Sequence, residues 1–436
     1  MEYLRRRVVI TGVGLVCPLG NSPQALWDAL LAGTSPVAPL ENFRPDDLPT
    51  RFGAEARQFT GVIDDFGPLE AEKKKAIRKG LKLMCRETQM GVASAQCALT
   101  DAGWGTGGYE VERTGVTFGS DYMLTEPRDF EAGMVKCSQE GDFNFRQWGT
   151  IGLGEVTPLW LLKYLPNMPA SHLAIYNDLR GPSNSATMRE AASNLAIGEA
   201  FRTVSRGSAE IMLAGATGSR VHPMKFLHAV LQEQVAGNDS NPAEASRPFD
   251  LNRSGQVLGE GAGAVVLEEL EFAKSRGATI YGEVVGAASS AVADRKSVSN
   301  RKQAFANAMR AALKDAGIAP AELGHIHAHG LSTTSSDVAE AAAIAEVLGS
   351  AADRVPVIAA KSYFGNLGAG SGAVELIASL LALKAGHLFP TLNFSTPDPA
   401  CPLQITRDAK TPAGCSFINL SITPQGQAAA IVVRAL

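Results

Sequence analysis

The sequence predicts an α/β fold in two halves. Three observations carry this. Short apolar runs bounded by glycine alternate with longer runs of helical periodicity along the chain. The pattern restarts with a fresh strand at Thr279–Val285, after a glycine-rich return around 255–263. At 436 residues, 45% hydrophobic and 19% charged, the chain can fill a large core. Its 44 glycines suit tight turns and close contacts between helix and sheet.

Taken in order, Val8–Val16 reads as a buried strand, followed by the loop Cys17-Pro18-Leu19-Gly20-Asn21. Ser22-Pro23 then opens an amphipathic helix over 24–32. Residues 35–80 are irregular. Within 72–82, Glu72-Lys73-Lys74-Lys75-Ala76-Ile77-Arg78-Lys79-Gly80-Leu81-Lys82 is the one dense basic run, and such runs are most often solvated helix faces. Glu87–Gly103 reads as a core helix, with Met90, Val92, Ala95, Ala98 and Leu99 apolar. Thr114–Ser120 is a strand ending on a glycine turn. Residues 121–170 hold Trp148 and Trp160 among several aromatics, read one by one as ordinary core. A Gly-Pro turn at 181–182 leads through small residues into an apolar helix ending at Ser205, with Gly207 placed for a left-handed cap. The strand 210–216 follows. In the second half the spacing predicts helices over 301–316, 335–348 and 370–385. Strands are expected at 326–329, 355–359, 415–422 and 428–434. Alternation in both halves suggests duplication, although no repeat is visible residue by residue.

The net charge of −4 argues against nucleic acid as a partner. Met1–Arg7 lacks a leader's apolar stretch, and no apolar run reaches membrane-spanning length. None of the six cysteines falls in a CxxC or zinc spacing. These readings predict a cytoplasmic protein with reduced thiols, no metal and no cofactor.

Three segments resemble the β-ketoacyl synthases, the condensing enzymes of fatty-acid and polyketide synthesis in the thiolase superfamily. The segment 181–200 begins Gly181-Pro182-Ser183-Asn184-Ser185 and resembles their nucleophile helix. Arg247-Pro248-Phe249-Asp250, followed by Gly259-Glu260-Gly261-Ala262-Gly263, resembles their Arg-Pro-Phe-Asp and Gly-Glu-Gly-Ala-Gly signature. The third is the histidine segment at His329-Gly330. The resemblance covers nearly the whole chain. It implies the thiolase-like, duplicated five-layer α-β-α-β-α fold, with an N-terminal half over 1–268 and a C-terminal half over 269–436. It also implies an acyl carrier protein or acyl thioester as partner, and a homodimer or a heterodimer with an active ketosynthase. The basic run at 72–82 is one candidate docking patch for such a carrier.

Decarboxylative condensation needs a thiolate, donors for the enolate and an oxyanion hole. Gapless alignment puts Glu190 where relatives carry the cysteine. A carboxylate is a poor acyl acceptor, because a mixed anhydride is less stable than a thioester. His329 maps onto the first catalytic histidine, with Leu331 in place of a threonine. Asn366 falls on the second histidine, and an amide can donate a hydrogen bond but not carry a proton charge. Lys361 and Glu375 are kept, and the resemblance makes them an ordering pair. Glu260, Phe249 and Asp337 belong to the supporting scaffold. The loop 421–427 replaces the family's Phe-Gly-Phe-Gly-Gly gate, and Pro424 removes an amide donor. Cys401 lies in a surface-type segment.

The leading expectation is a non-condensing subunit of the chain-length-factor type. The alternatives are a malonyl-thioester decarboxylase or acyl-thioester hydrolase, a conventional 3-oxoacyl synthase (an acyltransferase), and an acyl-binding homodimer. If His329 lies within reach of Glu190, an ion pair between them would fill the cysteine's place.

Overall fold

In the computed structural model, residues 5–139 and 141–436 are described. Residues 1–4, read above as the start of a leader-free chain, lie outside them. The first half runs β1 (Val8–Val16), α1 (Pro23–Ala32), β2 (Ala38–Pro39), β3 (Phe52–Gly53), α2 (Ala71–Gly80), α3 (Arg86–Asp101), β4 (Thr114–Ser120) and α4 (Arg128–Lys136). It continues through β5 (Ser138–Gln139), β6 (Asp142–Phe143), α5 (Met168–Asn177), β7 (Ser183–Thr187), α6 (Ala192–Ser205), β8 (Ile211–Ser219), α7 (Pro223–Gln232) and β9 (Glu260–Glu269). After the short α8 (Leu270–Ser275) come β10 (Gly282–Ala291), α9 (Arg301–Ala316), β11 (His325–His327), α10 (Ser336–Leu348) and β12 (Val357–Ile358). The chain closes with α11 (Lys361–Phe364), α12 (Ser371–Ala385), β13 (Ser416–Ile422) and β14 (Gln427–Arg434).

Among the described residues, ten strands join in the order β12-β11-β13-β14-β10-β1-β9-β8-β4-β7. Counted within each half, the order from the centre outward is the same: first strand, fifth, fourth, second, third. The matching pairs also share sense, parallel for β4–β8 and β11–β13 and antiparallel for β1–β9 and β10–β14. The seam is a short antiparallel pairing in which Val8 faces Val284. Helices α3 and α5 cover the first half-sheet, and α9 covers the second with α10 packed against α9. Helices α6 and α12 touch each other and strands of both halves, so they form the middle layer. The result is the expected α-β-α-β-α stack.

The duplication reaches single residues, which corrects the reading that no repeat is visible. The α3 end Ala98-Leu99-Thr100-Asp101-Ala102-Gly103 recurs at the end of α9 as Ala312-Leu313-Lys314-Asp315-Ala316-Gly317. Each meets a glycine at a β-bulge, Gly12 in β1 and Gly286 in β10. A Cβ on either glycine would lie 2.3 Å from a helix carbonyl, that of Ala98 or Ala312. The aspartates repeat too: Asp101 Oδ2 accepts from Val13 N at 2.9 Å, and Asp315 Oδ2 from Ala287 N at 3.2 Å. One copy of a six-residue motif more than two hundred residues away is too sparse to show as a sequence period.

Four other expectations change. The small-residue stretch before α6 is a strand, β7, held parallel to β4, and the helix starts only at Ala192. Small side chains at Ser183–Thr187 left no apolar alternation to reveal it. Helix α12 with the turn before it forms an 18-residue run long and apolar enough, by length and composition, to cross a membrane, and 78% of it is buried in the protein. Burial on all sides of a middle-layer helix requires that composition. Cys401 is buried at 5% exposure, and burial pushes its thiol up to about 12. The basic run does form a helix, α2, but Lys73 turns inward to Gly105 O at 2.9 Å and Asn177 Oδ1 at 3.0 Å.

Candidate active site

The two middle-layer helices bring the site together. A 3-10 turn over Arg189–Ala191 precedes α6 and carries Glu190, and Arg189 takes a left-handed φ of 47° to make that corner. The turn before α12 carries Asn366. It enters through Gly365, whose φ of 67° places a would-be Cβ 2.5 Å from Val257 O. Asn366 and Leu258 then form a β-bridge, which fixes the amide against the first half.

Glu190 is 1% exposed and fully engaged on one oxygen. Its Oε1 accepts from Arg220 Nη1 at 2.7 Å and from Asn366 Nδ2 at 3.1 Å. Arg189 Nε stands 3.5 Å from Oε2, which accepts no hydrogen bond among the described residues. Arg220, one residue beyond β8, is buried, and its Nη2 donates to Glu233 Oε1 at 2.7 Å. Arg189 Nη2 donates to the same oxygen at 2.7 Å, and Gln256 Nε2 donates to Glu233 Oε2 at 2.6 Å. Gln256 Oε1 receives Asn366 Nδ2 at 2.9 Å. Two carboxylates and two guanidinia therefore balance, with two amides closing the ring. Burial would raise Glu233, but Arg220 and Arg189 outweigh it and hold that carboxyl at about 2.

The expected pair between Glu190 and His329 is not formed: no hydrogen bond or ion pair joins them among the described residues. The cation that fills the role is Arg220. Neither Arg220 nor Glu233 stands in a recognisable motif. The one signal available was a lone arginine directly after the buried run Ile211–Ser219, a place where a charge requires a partner.

His329, Lys361 and Glu375 form a second cluster. Lys361 Nζ donates to Glu375 Oε1 and lies 3.3 Å from His329 Nδ1. An ammonium has only hydrogens to offer, so Nδ1 is the acceptor and the ring proton sits on Nε2. Burial, aided by the Lys361 charge, drops His329 well below the usual histidine range, so it is neutral. Burial also raises Glu375. Glu340, not anticipated from sequence, accepts from His329 N at 2.6 Å and Gly330 N at 2.8 Å. Its burial nevertheless pushes it up to about 8.

Asp337 gathers the 331–333 turn through the amides of Leu331 (3.1 Å), Ser332 (3.1 Å) and Thr333 (3.3 Å). It also takes Phe249 N at 2.9 Å. Phe249 itself holds a φ of 64°. Glu260 opens β9 and is clamped by Arg86 and Ala56 N, outside the Glu190 cluster. The structure thus brings Glu190 and Asn366 into one cluster and His329, Lys361 and Glu375 into another.

Both clusters face a cavity of about 180 Å³, lined by Glu190, Glu233, Gln256, His329, Leu331 and Pro424 among others. No cysteine is among its lining residues. The 421–427 segment closes it as a tight turn between β13 and β14: Gly426 N donates to Thr423 O at 2.9 Å, and Arg301 Nη2 holds Pro424 O at 2.9 Å. A carbonyl, not an amide, is therefore the group this turn has tethered.

Comparison with known proteins finds two family models along the chain. A family model described as beta-ketoacyl synthase, N-terminal domain, matches residues 5–273, and one described as beta-ketoacyl synthase, C-terminal domain, matches 281–395. The chain is similar to 3-oxoacyl-[acyl-carrier-protein] synthase 2 of Synechocystis sp., 33% identical over 404 residues, covering 92% of this chain and 90% of the relative. A solved beta-ketoacyl synthase from Burkholderia phymatum superposes with a TM-score of 0.84 at 30% identity, covering 99% of this chain and all of the other. The ishigamide ketosynthase/chain length factor superposes with a TM-score of 0.83 at 26% identity over 99% of this chain.

Proposed function

Because this chain belongs to the β-ketoacyl synthase family, we propose that it is a non-condensing member, a subunit of the chain-length-factor type. It shapes an acyl site and supports an active ketosynthase. The observation that carries this is the state of the nucleophile position: Glu190 is bound there by Arg220 and Asn366. Condensation asks that position for a thiolate and asks the second histidine position for a free donor. Here the first holds a carboxylate and the second has spent its amide on that carboxylate. The name of the ishigamide protein pairs a ketosynthase with a chain length factor, and the same pairing is the proposal for this chain.

The purified chain, given acyl and malonyl carrier-protein thioesters, is expected to form no β-ketoacyl product and no covalent acyl adduct by mass spectrometry. Product formation would sink the proposal. Glu190→Cys is expected to remain inactive, since Arg220 and Asn366 still occupy the space around the thiol.

One observation favours a second reading. Glu190 Oε2 accepts no hydrogen bond, and Glu190 shares its cavity with neutral His329. A carboxylate so placed could act as a general base on water, giving thioester hydrolysis. Thiol release from an acyl thioester that disappears in Glu190→Gln would decide for this reading.

A further inference from the structure

A cleft lies at the opposite ends of β11 and β12 from the Glu190 cavity. His329 follows β11 and Lys361 follows β12, whereas Gly324 and Pro356 directly precede these strands. Gly324 and Pro356 line a cavity of about 500 Å³ together with Arg354, Thr406, Arg407 and Asp408. Its volume is that of a small-molecule site.

Backbone fixes the walls. The segment 404–406 lies beside β12: Val357 N donates to Gln404 O and Thr406 N donates to Val357 O, both at 2.9 Å. Another wall is glycine against glycine. A Cβ on Gly414 would lie 2.3 Å from Gly324 Cα, and one on Gly324 would lie 2.5 Å from Ala413 O. Neither position has room for a side chain that would fill the cleft.

Three features of the lining say what it would take. The first is a pair of exposed guanidinia. The Arg354 side chain makes no hydrogen bond or ion pair among the described residues. Arg407 lies 4.7 Å from the centre of the Phe394 ring, and its Nη2 reaches only Ser395 O, at 3.4 Å. Stacking holds its plane and leaves its other donors open. Two such forks suit the oxygens of a phosphate.

The second feature is an orphaned hydroxyl. Thr406 is 4% exposed, and its Oγ1 has no hydrogen-bond partner among the described residues. A buried hydroxyl left so is unfavourable, and a ligand oxygen would satisfy it.

The third is the one lining carboxylate, Asp408. Its Oδ1 accepts from Lys410 N at 2.9 Å, and it pairs with neither arginine among the described residues. It therefore asks for a donor from the ligand. The lining stays positive, with two guanidinia against one carboxylate. Asp353 and Lys410, next to lining residues in the chain, are opposite in sign and leave that excess in place.

We infer that this cleft is a ligand site for a hydroxylated organic phosphate. The phosphate takes Arg354, Arg407 and the Thr406 hydroxyl, and a ligand hydroxyl donates to Asp408. The organic part fills the volume that a bare phosphate leaves empty. The inference does not rest on what Glu190 does.

Calorimetric titration of the full chain with glucose 6-phosphate, hexyl phosphate, inorganic phosphate and glucose tests this. Glucose 6-phosphate is expected to bind about tenfold more tightly than either other phosphate, and glucose is expected not to bind. The double variant Arg354→Gln with Arg407→Gln should lose about a hundredfold. Thr406→Val keeps the side chain's shape and removes the hydroxyl. It should weaken glucose 6-phosphate about tenfold, while the melting temperature holds or rises. Asp408→Ala should bring glucose 6-phosphate down to the affinity of hexyl phosphate. Hexyl or inorganic phosphate binding as tightly as glucose 6-phosphate would overturn the assignment. So would equal affinity for glucose, binding that survives the double variant, or no binding at millimolar ligand. Condensation by the wild-type chain would overturn the earlier proposal and leave this one standing.

Discussion

At the scale of single residues, Glu190 stands in an ion cluster in which each charge depends on the others. Arg220 is the common member, bonded to both Glu190 and Glu233 at 2.7 Å. Arg220→Leu takes the one close guanidinium from buried Glu190 and leaves Glu233 with Arg189 alone, and a broken buried pair costs about 3–5 kcal/mol. Urea denaturation is expected to show a loss of that size. Glu190→Gln keeps an acceptor for Arg220 and Asn366 and should cost less. Glu233 sets a pH signature. Its folded carboxyl, held at about 2, lies below its ordinary 4.5. The unfolded state therefore binds the proton more readily, and this stabilisation is complete above 4.5 and lost as pH falls toward 2. Stability measured across that acid range should fall less steeply in Glu233→Gln than in wild type. Glu190 and Asn366 were legible in the sequence because they stand at fixed offsets inside long motifs. Arg220 and Glu233 were not, because partners that meet only through the fold leave no spacing to read.

Among the elements, the repeated contact between a strand glycine and a helix carbonyl is the most constrained feature. Gly12 on α3 and Gly286 on α9 leave a Cβ no room, at 2.3 Å from backbone oxygen in both places. Backbone cannot rotate away as a side chain can. Gly12→Ala and Gly286→Ala should each destabilise by about 1–3 kcal/mol or more, and by similar amounts because the surroundings repeat. Thermal unfolding of the two variants checks both size and likeness. Helices and long strands could be read from apolar periodicity, which is why α9 ends where the pattern said. Strand β7 could not, since its small residues carry no periodic signal and its place is set by β4. Cys401 and Lys73 were misjudged for a related reason, their burial being decided by segments distant in sequence.

For the whole molecule, the fold class was readable because alternation and length survive any change at the site. The open edge of the sheet was not. One end of the ten-stranded sheet is closed where Val357 N donates to Gln404 O at 2.9 Å. At the other end β7 pairs only with β4 among the described residues, and Ser183, Asn184 and Thr187 are exposed. Unpaired edges invite another chain. Among the described residues, eight of the seventeen exposed large hydrophobics fall between Met134 and Leu161, with Phe145 at 76% exposure. Sedimentation is expected to find the chain associated, with itself or with a ketosynthase partner. Phe145→Asp with Leu161→Asp should release monomer at unchanged melting temperature. The ion cluster described above also gives the molecule's history a direction. Its members come from both halves, and single exchanges break it in part: a cysteine at 190 leaves Arg220 with Glu233 alone, and a histidine at 366 removes the amide that bridges to Gln256. On the proposed reading each first step back toward condensation is worse than standing still, and the ion cluster works as a ratchet.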